Sequence, residues 1–245
     1  MKAAILAAGI GSRFKKYAEK TPKTLLKIGD APILHYILNS LSKLSISESA
    51  IITGFEAVKI KRFAGNGGKW GINLKYIQNP HYKTTNNIYS LYLAKDYLSS
   101  HGFLIINSDT FFHEKILFKL YNSVKKGITL AIDAEKELEE EGMKVLIEGN
   151  KIKMISKNIS SREASGEYIG LARIDRRFSN IFFESIENAI KSKGAAVFYE
   201  EAFQNLIKNG HTIYYQSTEG LPWIEIDTPA DLQKAKEIAP MVKNF

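Results

Sequence analysis

Apolar positions along the chain follow two alternating rhythms. Short strand-like runs at Ala3–Leu6, Ser49–Thr53, Leu74–Gln78, Phe103–Ile106 and Thr129–Asp133 are separated by stretches of helical spacing. Ile33, Ile37, Leu41 and Leu44 predict a helix over Ile33–Leu44. Similar patterns predict helices over Phe55–Phe63, over Ile88–Leu98 with Asn86 or Asn87 as cap, and over Glu114–Val124. This alternation predicts an α/β fold of Rossmann-like type, a mostly parallel mixed sheet flanked by helices on both faces.

Past residue 133 the rhythm changes. Lys144–Glu148 and Ile152–Ser156 form a hairpin pattern around Gly149-Asn150. Glu167–Ile174, Thr212–Gln216 and Trp223–Ile226 read as strands, and Phe178–Lys191 and Phe198–Lys208 as helices. A closing helix runs over Pro229–Ile238, with Thr228 as cap and Pro229 in its first turn. No linker, repeat or low-complexity stretch divides the chain. The expectation is one domain over 1–245, with the second half adding a β-rich lid.

Composition narrows the classes of protein. The 245 residues are 44% hydrophobic, enough for a sizeable core, and contain no cysteine, which fits a reducing compartment. No apolar run approaches the ~18 residues of a membrane span, and the start reads as a core strand rather than a signal peptide. A cytoplasmic address is expected. The net charge is +8, but the lysines are dispersed and form no basic stripe with interleaved aromatics. That pattern suits attraction for small anions better than nucleic-acid binding. No Gly-x-Ser-x-Gly elbow is present, and the five histidines lack metal spacing.

The densest chemistry lies in the first 27 residues. The strand Ala3–Leu6 enters a loop of small residues, Ala7-Ala8-Gly9-Ile10-Gly11-Ser12, followed by Arg13 and, ten residues on, Lys23. Glycines let backbone N–H groups approach phosphate oxygens, and Arg13 and Lys23 supply positive charge for a nucleoside triphosphate. The loop is neither a P-loop nor the dinucleotide fingerprint, since position 14 is Phe14 rather than glycine.

Leu6-Ala7-Ala8-Gly9-Ile10-Gly11-Ser12-Arg13-Phe14 with Pro22-Lys23-Thr24-Leu25 resembles the signature of nucleotidyltransferases that make sugar nucleotides and CDP-alcohols. The resemblance implies a nucleotide-diphospho-sugar transferase-like fold, with a nucleotide-binding half over 1–133 and an acceptor-binding half over 134–245. It places Leu6, Ala7, Ala8, Gly9, Gly11 and Ser12 around the nucleotide. It gives Arg13 to the β- and γ-phosphates and Lys23 to the α-phosphate. Asp109 ends the apolar strand Phe103–Ile106, and Asp227 follows Trp223-Ile224-Glu225-Ile226. In the family two such aspartates hold Mg²⁺, a hard cation suited to oxygen ligands. Read without the family, each aspartate also suits a helix cap.

Asn86-Asn87-Ile88-Tyr89-Ser90-Leu91 resembles the helix start of cytidylyltransferases acting on phosphocholine and related phosphorylated alcohols. It implies CTP as donor, with Asn87 and Ser90 near the base or the substrate phosphate. Lys144, Glu167, Tyr168, Trp223 and Glu225 are the expected acceptor-side residues, and Tyr168, Trp223 and Tyr89 are candidates for a cage around a quaternary ammonium. The expected partners are CTP and a phosphorylated small molecule, without nucleic acid, and with a homodimer left open. Two other readings stand beside this one. One is a sugar-1-phosphate nucleotidyltransferase using UTP, dTTP or GTP; the other is a nucleotide-binding module without chemistry.

Overall fold

A computed structural model describes residues 1–11, 14, 21–135, 138 and 140–243. In chain order, β1 (Lys2–Ala7) precedes a two-residue ribbon, β2 (Lys27–Ile28) and β3 (Ala31–Pro32), and helix α1 (Ile33–Lys43). Next come β4 (Glu48–Thr53), α2 (Ala57–Ala64), β5 (Asn73–Gln78), α3 (Asn87–Leu93) and α4 (Lys95–Leu98). They are followed by β6 (Phe103–Asn107), β7 (Thr110–Phe112), α5 (Glu114–Tyr121) and β8 (Ile128–Asp133). The second half adds the hairpin β9 (Lys144–Glu148) and β10 (Lys151–Ser156), then β11 (Gly166–Ile174), α6 (Ser179–Lys193) and α7 (Glu200–Lys208). The chain closes with β12 (Ile213–Ser217), β13 (Trp223–Glu225) and α8 (Pro229–Lys243).

Nine strands make one sheet in the order β5-β4-β1-β6-β11-β8-β12-β10-β9. Side-chain alternation along each strand builds two cores. Ala3 and Ile5 of β1, with Leu104 and Ile106 of β6, pack on the face covered by α1, α2, α5 and α8. Ala4, Phe103 and Ile105 pack on the opposite face, under α3, α4, α6 and α7. Central strands buried on both faces must be apolar throughout, which is why β1 and β6 read as unbroken runs.

The expected sheet was mostly parallel, and the observed one is evenly mixed. β5, β4, β1 and β6 run parallel, as does the pair β12 and β8. β11 enters between β6 and β8 antiparallel to both, and β10 is antiparallel to β12 and β9. The cause is local. After β8 the chain returns through a hairpin instead of a crossover helix, and only a crossover carries the next strand back for a parallel start. The hairpin turns at Gly149 with φ +59, as its sequence predicts. Its strands join the same sheet, β10 beside β12 and β9 also pairing back with β11, and do not form a separate lid layer.

Two further differences concern breaks. The helix expected over Ile88–Leu98 is interrupted at Ala94, giving α3 and α4. The strand β7 was not anticipated; it pairs with β13 outside the main sheet, Thr110 opposite Glu225. No helix among the described residues is long and apolar enough to cross a membrane.

Candidate active site

The carboxyl ends of β1 and β6 lie level, with Leu6 paired to Asn107. Beyond them opens a cavity of about 340 Å³, the position where open α/β sheets bind ligands. Leu6, Ala7, Ala8, Gly9 and Gly11 form part of its wall. Small residues are required here for close approach. At Gly11 φ is +64, and a Cβ would stand 3.0 Å from both Cγ and Cε of Lys23. At Gly54 a Cβ would come within 2.7 Å of the Ala8 carbonyl oxygen. Ser12 and Arg13 lie outside the described residues.

Lys23 opens a short 3₁₀ turn, Lys23–Leu25, after the extended Pro22. Its ammonium donates to an Asp227 carboxylate oxygen and stands 3.5 Å from Asp109 Oδ2. The β7–β13 ladder makes this meeting possible. It sets Thr110 against Glu225, and the Ile226 N–H donates to the Asp109 carbonyl at 3.0 Å. Asp227 is not the cap of α8. Thr228 and Asp231 serve that end reciprocally, the Asp231 N–H donating to Thr228 Oγ1 at 3.3 Å and the Thr228 N–H to Asp231 Oδ2 at 2.7 Å. The Asp227 side chain is thereby left to face Lys23.

Carboxylate oxygens of Asp109, Glu225 and Asp227 lie within 4.8 Å of one another. Burial raises the Asp109 carboxyl above its usual range, with the Lys23 ammonium opposing and Asp227 adding to the shift. Glu225 is reached by solvent through the cavity yet closely ringed by protein. That desolvation, then the charges of Asp109 and Asp227, pushes its carboxyl up. Burial works against the Lys23 charge, but Asp109, Asp227 and Glu225 overcome it and raise its pKa. Three carboxylates against one ammonium leave excess negative charge, and all donors are hard oxygens. This set fits a divalent cation such as Mg²⁺.

At the start of α3, Asn86 accepts from the Asn87 N–H at 2.8 Å and so acts as the cap. Asn87 and Ser90 both line the cavity. Asn87 Oδ1 accepts from the Tyr199 N–H at 2.9 Å, and Ser90 Oγ accepts from Asn79 Nδ2 at 3.1 Å. Both are therefore held in place by protein partners.

The acceptor-side expectations divide. Tyr168 and Glu225 line the cavity; Lys144, Glu167 and Trp223 do not. Lys144 is buried, with its ammonium held by the carbonyls of Glu140 and Gly142. The Trp223 indole donates to Asp133 Oδ2. The three-aromatic cage is not assembled: Tyr89 packs against His81 and Tyr92, away from Trp223 and Tyr168. Tyr168 instead shares a hydrogen bond of 2.7 Å with the Tyr199 hydroxyl, which also donates to Asn107 Oδ1 at 3.3 Å.

Sequence reasoning missed Lys157, Phe198 and Glu200, all of which line the same cavity. The Lys157 ammonium stands 4.7 Å from the centre of the Phe198 ring. Its charge acts on both Glu225 and Glu200. Lys157 lies just past the end of β10, and Glu200 reads as an ordinary acid in the first turn of a helix. Neither carries a local signal. No histidine lines the cavity among the described residues.

A glycine loop at the end of β1, one lysine and a convergent acid cluster make a candidate site for a nucleotide and a divalent metal. Residues 2–152 match the Nucleotidyl transferase family, and the chain belongs to it. It is similar to choline-phosphate cytidylyltransferase of Streptococcus pneumoniae, 28% identical over 97% of this chain and 98% of that protein. It is 24% identical, over 96% of its length, to CMP-5'-(3-aminopropyl)phosphonate synthase of Streptomyces rubellomurinus, of which it spans only 38%. The fold superposes on the inositol-1-phosphate CTP transferase of T. maritima with a TM-score of 0.81 at 21% identity, covering 99% of this chain and 96% of that one.

Proposed function

We propose that this nucleotidyltransferase moves CMP from CTP to a small phosphorylated acceptor and releases pyrophosphate. The observation that carries the reading is the convergence of Lys23, Asp109, Glu225 and Asp227 at the end of the glycine loop. The cytidylyl choice draws support from relatives whose names specify CMP or cytidylyl transfer.

An oxygen of the acceptor phosphate attacks the α-phosphorus while the bond to the pyrophosphate oxygen breaks. A phosphate monoester, with a second pKa near ~6, is largely dianionic at neutral pH and needs no general base. The absence of histidine among the described lining residues agrees with this. Catalysis then rests on positioning and charge neutralisation. Backbone groups of Ala7, Ala8 and Gly9 read the base edge. Lys23 exchanges its aspartate partners for the α-phosphate and the charge that develops there, and Arg13 serves the outer phosphates. Asp109 and Asp227, with Glu225 beside them, would hold Mg²⁺, which when bound neutralises phosphate charge. Lys157 takes the acceptor-phosphate role that the sequence suggested for Lys144.

The test is pyrophosphate release from CTP, UTP, dTTP and GTP, each crossed with phosphorylated alcohols, amines and sugars. Release with CTP is expected. Release with UTP or dTTP and none with CTP overturns the cytidylyl assignment, and no release with any pair makes the chain a binding module.

A further inference from the structure

Among the described residues two carboxylates of the cavity wall stand apart from the Asp109 cluster, the exposed Glu141 and Glu200 on α7, and only Glu200 is nearly fully buried. Glu200 is 5% exposed, and its Oε2 has no hydrogen-bond partner. A buried acceptor oxygen without a donor is costly, and a purely structural glutamate would be supplied with one. The backbone N–H of Glu200, the Lys157 charge and Tyr199 all favour the charged form of its carboxyl, but no donor reaches Oε2: Tyr199 shares its hydroxyl with Tyr168 and Asn107, and the Lys157 ammonium lies over Phe198.

From this geometry we infer that Glu200 is the recognition point for a nitrogen cation on the acceptor, and that this nitrogen carries N–H. The inference rests on the transferase reading for what the other end of the acceptor does. An ammonium with N–H both balances the carboxylate and supplies the missing donor. A quaternary ammonium supplies charge alone and relies on aromatic faces. Of the rings in the cavity wall, Phe198 already carries Lys157 and Tyr168 is buried in T-shaped contact with Tyr199 and Phe203, which leaves Tyr82 rather than a multi-ring cage. Lys157 acts electrostatically on both Glu225 and Glu200. The acceptor is thus read at two ends, phosphate toward Lys157 and the acid cluster, amine toward Glu200.

The experiment is calorimetric titration of phosphoethanolamine, phosphocholine and myo-inositol 1-phosphate into the protein with Mg²⁺, and into Glu200→Gln. Phosphoethanolamine should bind about tenfold or more tighter than the other two, the scale of one charge-assisted contact. Glu200→Gln should erase that advantage, leave the affinity for inositol 1-phosphate unchanged, and still unfold cooperatively. Tighter binding of phosphocholine or inositol 1-phosphate, no measurable binding, or an unchanged preference in Glu200→Gln overturns the inference. The same panel read as pyrophosphate release keeps the two claims apart. The expected binding order without turnover from any nucleotide refutes the transferase reading alone. Turnover that favours the neutral acceptor refutes the amine subsite alone.

Discussion

The ammonium of Lys23 donates to the carboxylate of Asp227, 204 positions later in the chain. The same ammonium stands 3.5 Å from Asp109. The charge proposed for phosphate is thus held by the acids proposed for metal. Lys23→Ala should lower turnover by about 10²-fold or more, the scale of one lost transition-state charge contact. Its far-ultraviolet circular dichroism should stay that of the parent. Steady-state pyrophosphate release measures the first, and near-parental turnover refutes the role.

The acid cluster predicts a metal effect that does not depend on turnover. Mg²⁺ should raise the thermal midpoint of the parent protein, because a ligand that binds only the folded state stabilises it. Asp109→Asn and Asp227→Asn should each lose most of that rise. A chelator should abolish pyrophosphate release in the parent. Equal Mg²⁺ stabilisation of parent and both variants would remove these residues from the metal site.

Gly170 makes a backbone prediction. Its φ is +79, and a Cβ there would lie 2.5 Å from Asn107 Nδ2 and 2.8 Å from Asn107 Cβ. Asn107 accepts from Tyr199 and lines the cavity. Gly170→Ala should cost about 1–3 kcal/mol in urea unfolding, from left-handed strain plus displacement of Asn107. It should also weaken catalysis. A variant as stable as the parent would show that Asn107 moves freely.

Glu200 sets the sign of a pH dependence. Burial pushes its carboxyl up to about 7 from the ordinary 4.5, while its own backbone N–H, Lys157 and Tyr199 pull the other way. Tyr168, the other titratable group beside it, is itself held neutral by burial. A carboxyl raised in the folded state binds a proton that the unfolded chain has already released. Its stabilising effect is full below pH 4.5 and is lost as pH rises through about 7. Glu200→Gln should remove this slope and stabilise the protein at pH 8 by up to about 3 kcal/mol. Chemical unfolding across that range measures it, and parallel curves for parent and variant contradict it.

The sequence made the parallel half of the fold legible because β1, β4 and β6 are apolar on both faces. It also marked the hairpin turn at Gly149-Asn150. It could not show that β11 returns between β6 and β8, since strand direction depends on the path of the chain rather than on side-chain pattern. Within the site, Lys23, Asp109 and Asp227 were readable because each belongs to a motif at the end of a strand or in a signature. Lys144 misled: a lysine on an apolar strand looked aimed at substrate, and backbone carbonyls hold it instead. Lys157 and Glu200 were invisible because only the folding of α7 against the hairpin brings them to the cavity.

The ladder between β7 and β13 has a consequence for synthesis. Asp109 is made early, but Glu225 and Asp227 arrive with the strand that pairs against its neighbours. A nascent chain that has not yet reached Trp223 has the glycine loop and Lys23 but only one of the three acids. The acid cluster is thus complete only once the last strand in the sequence has been made.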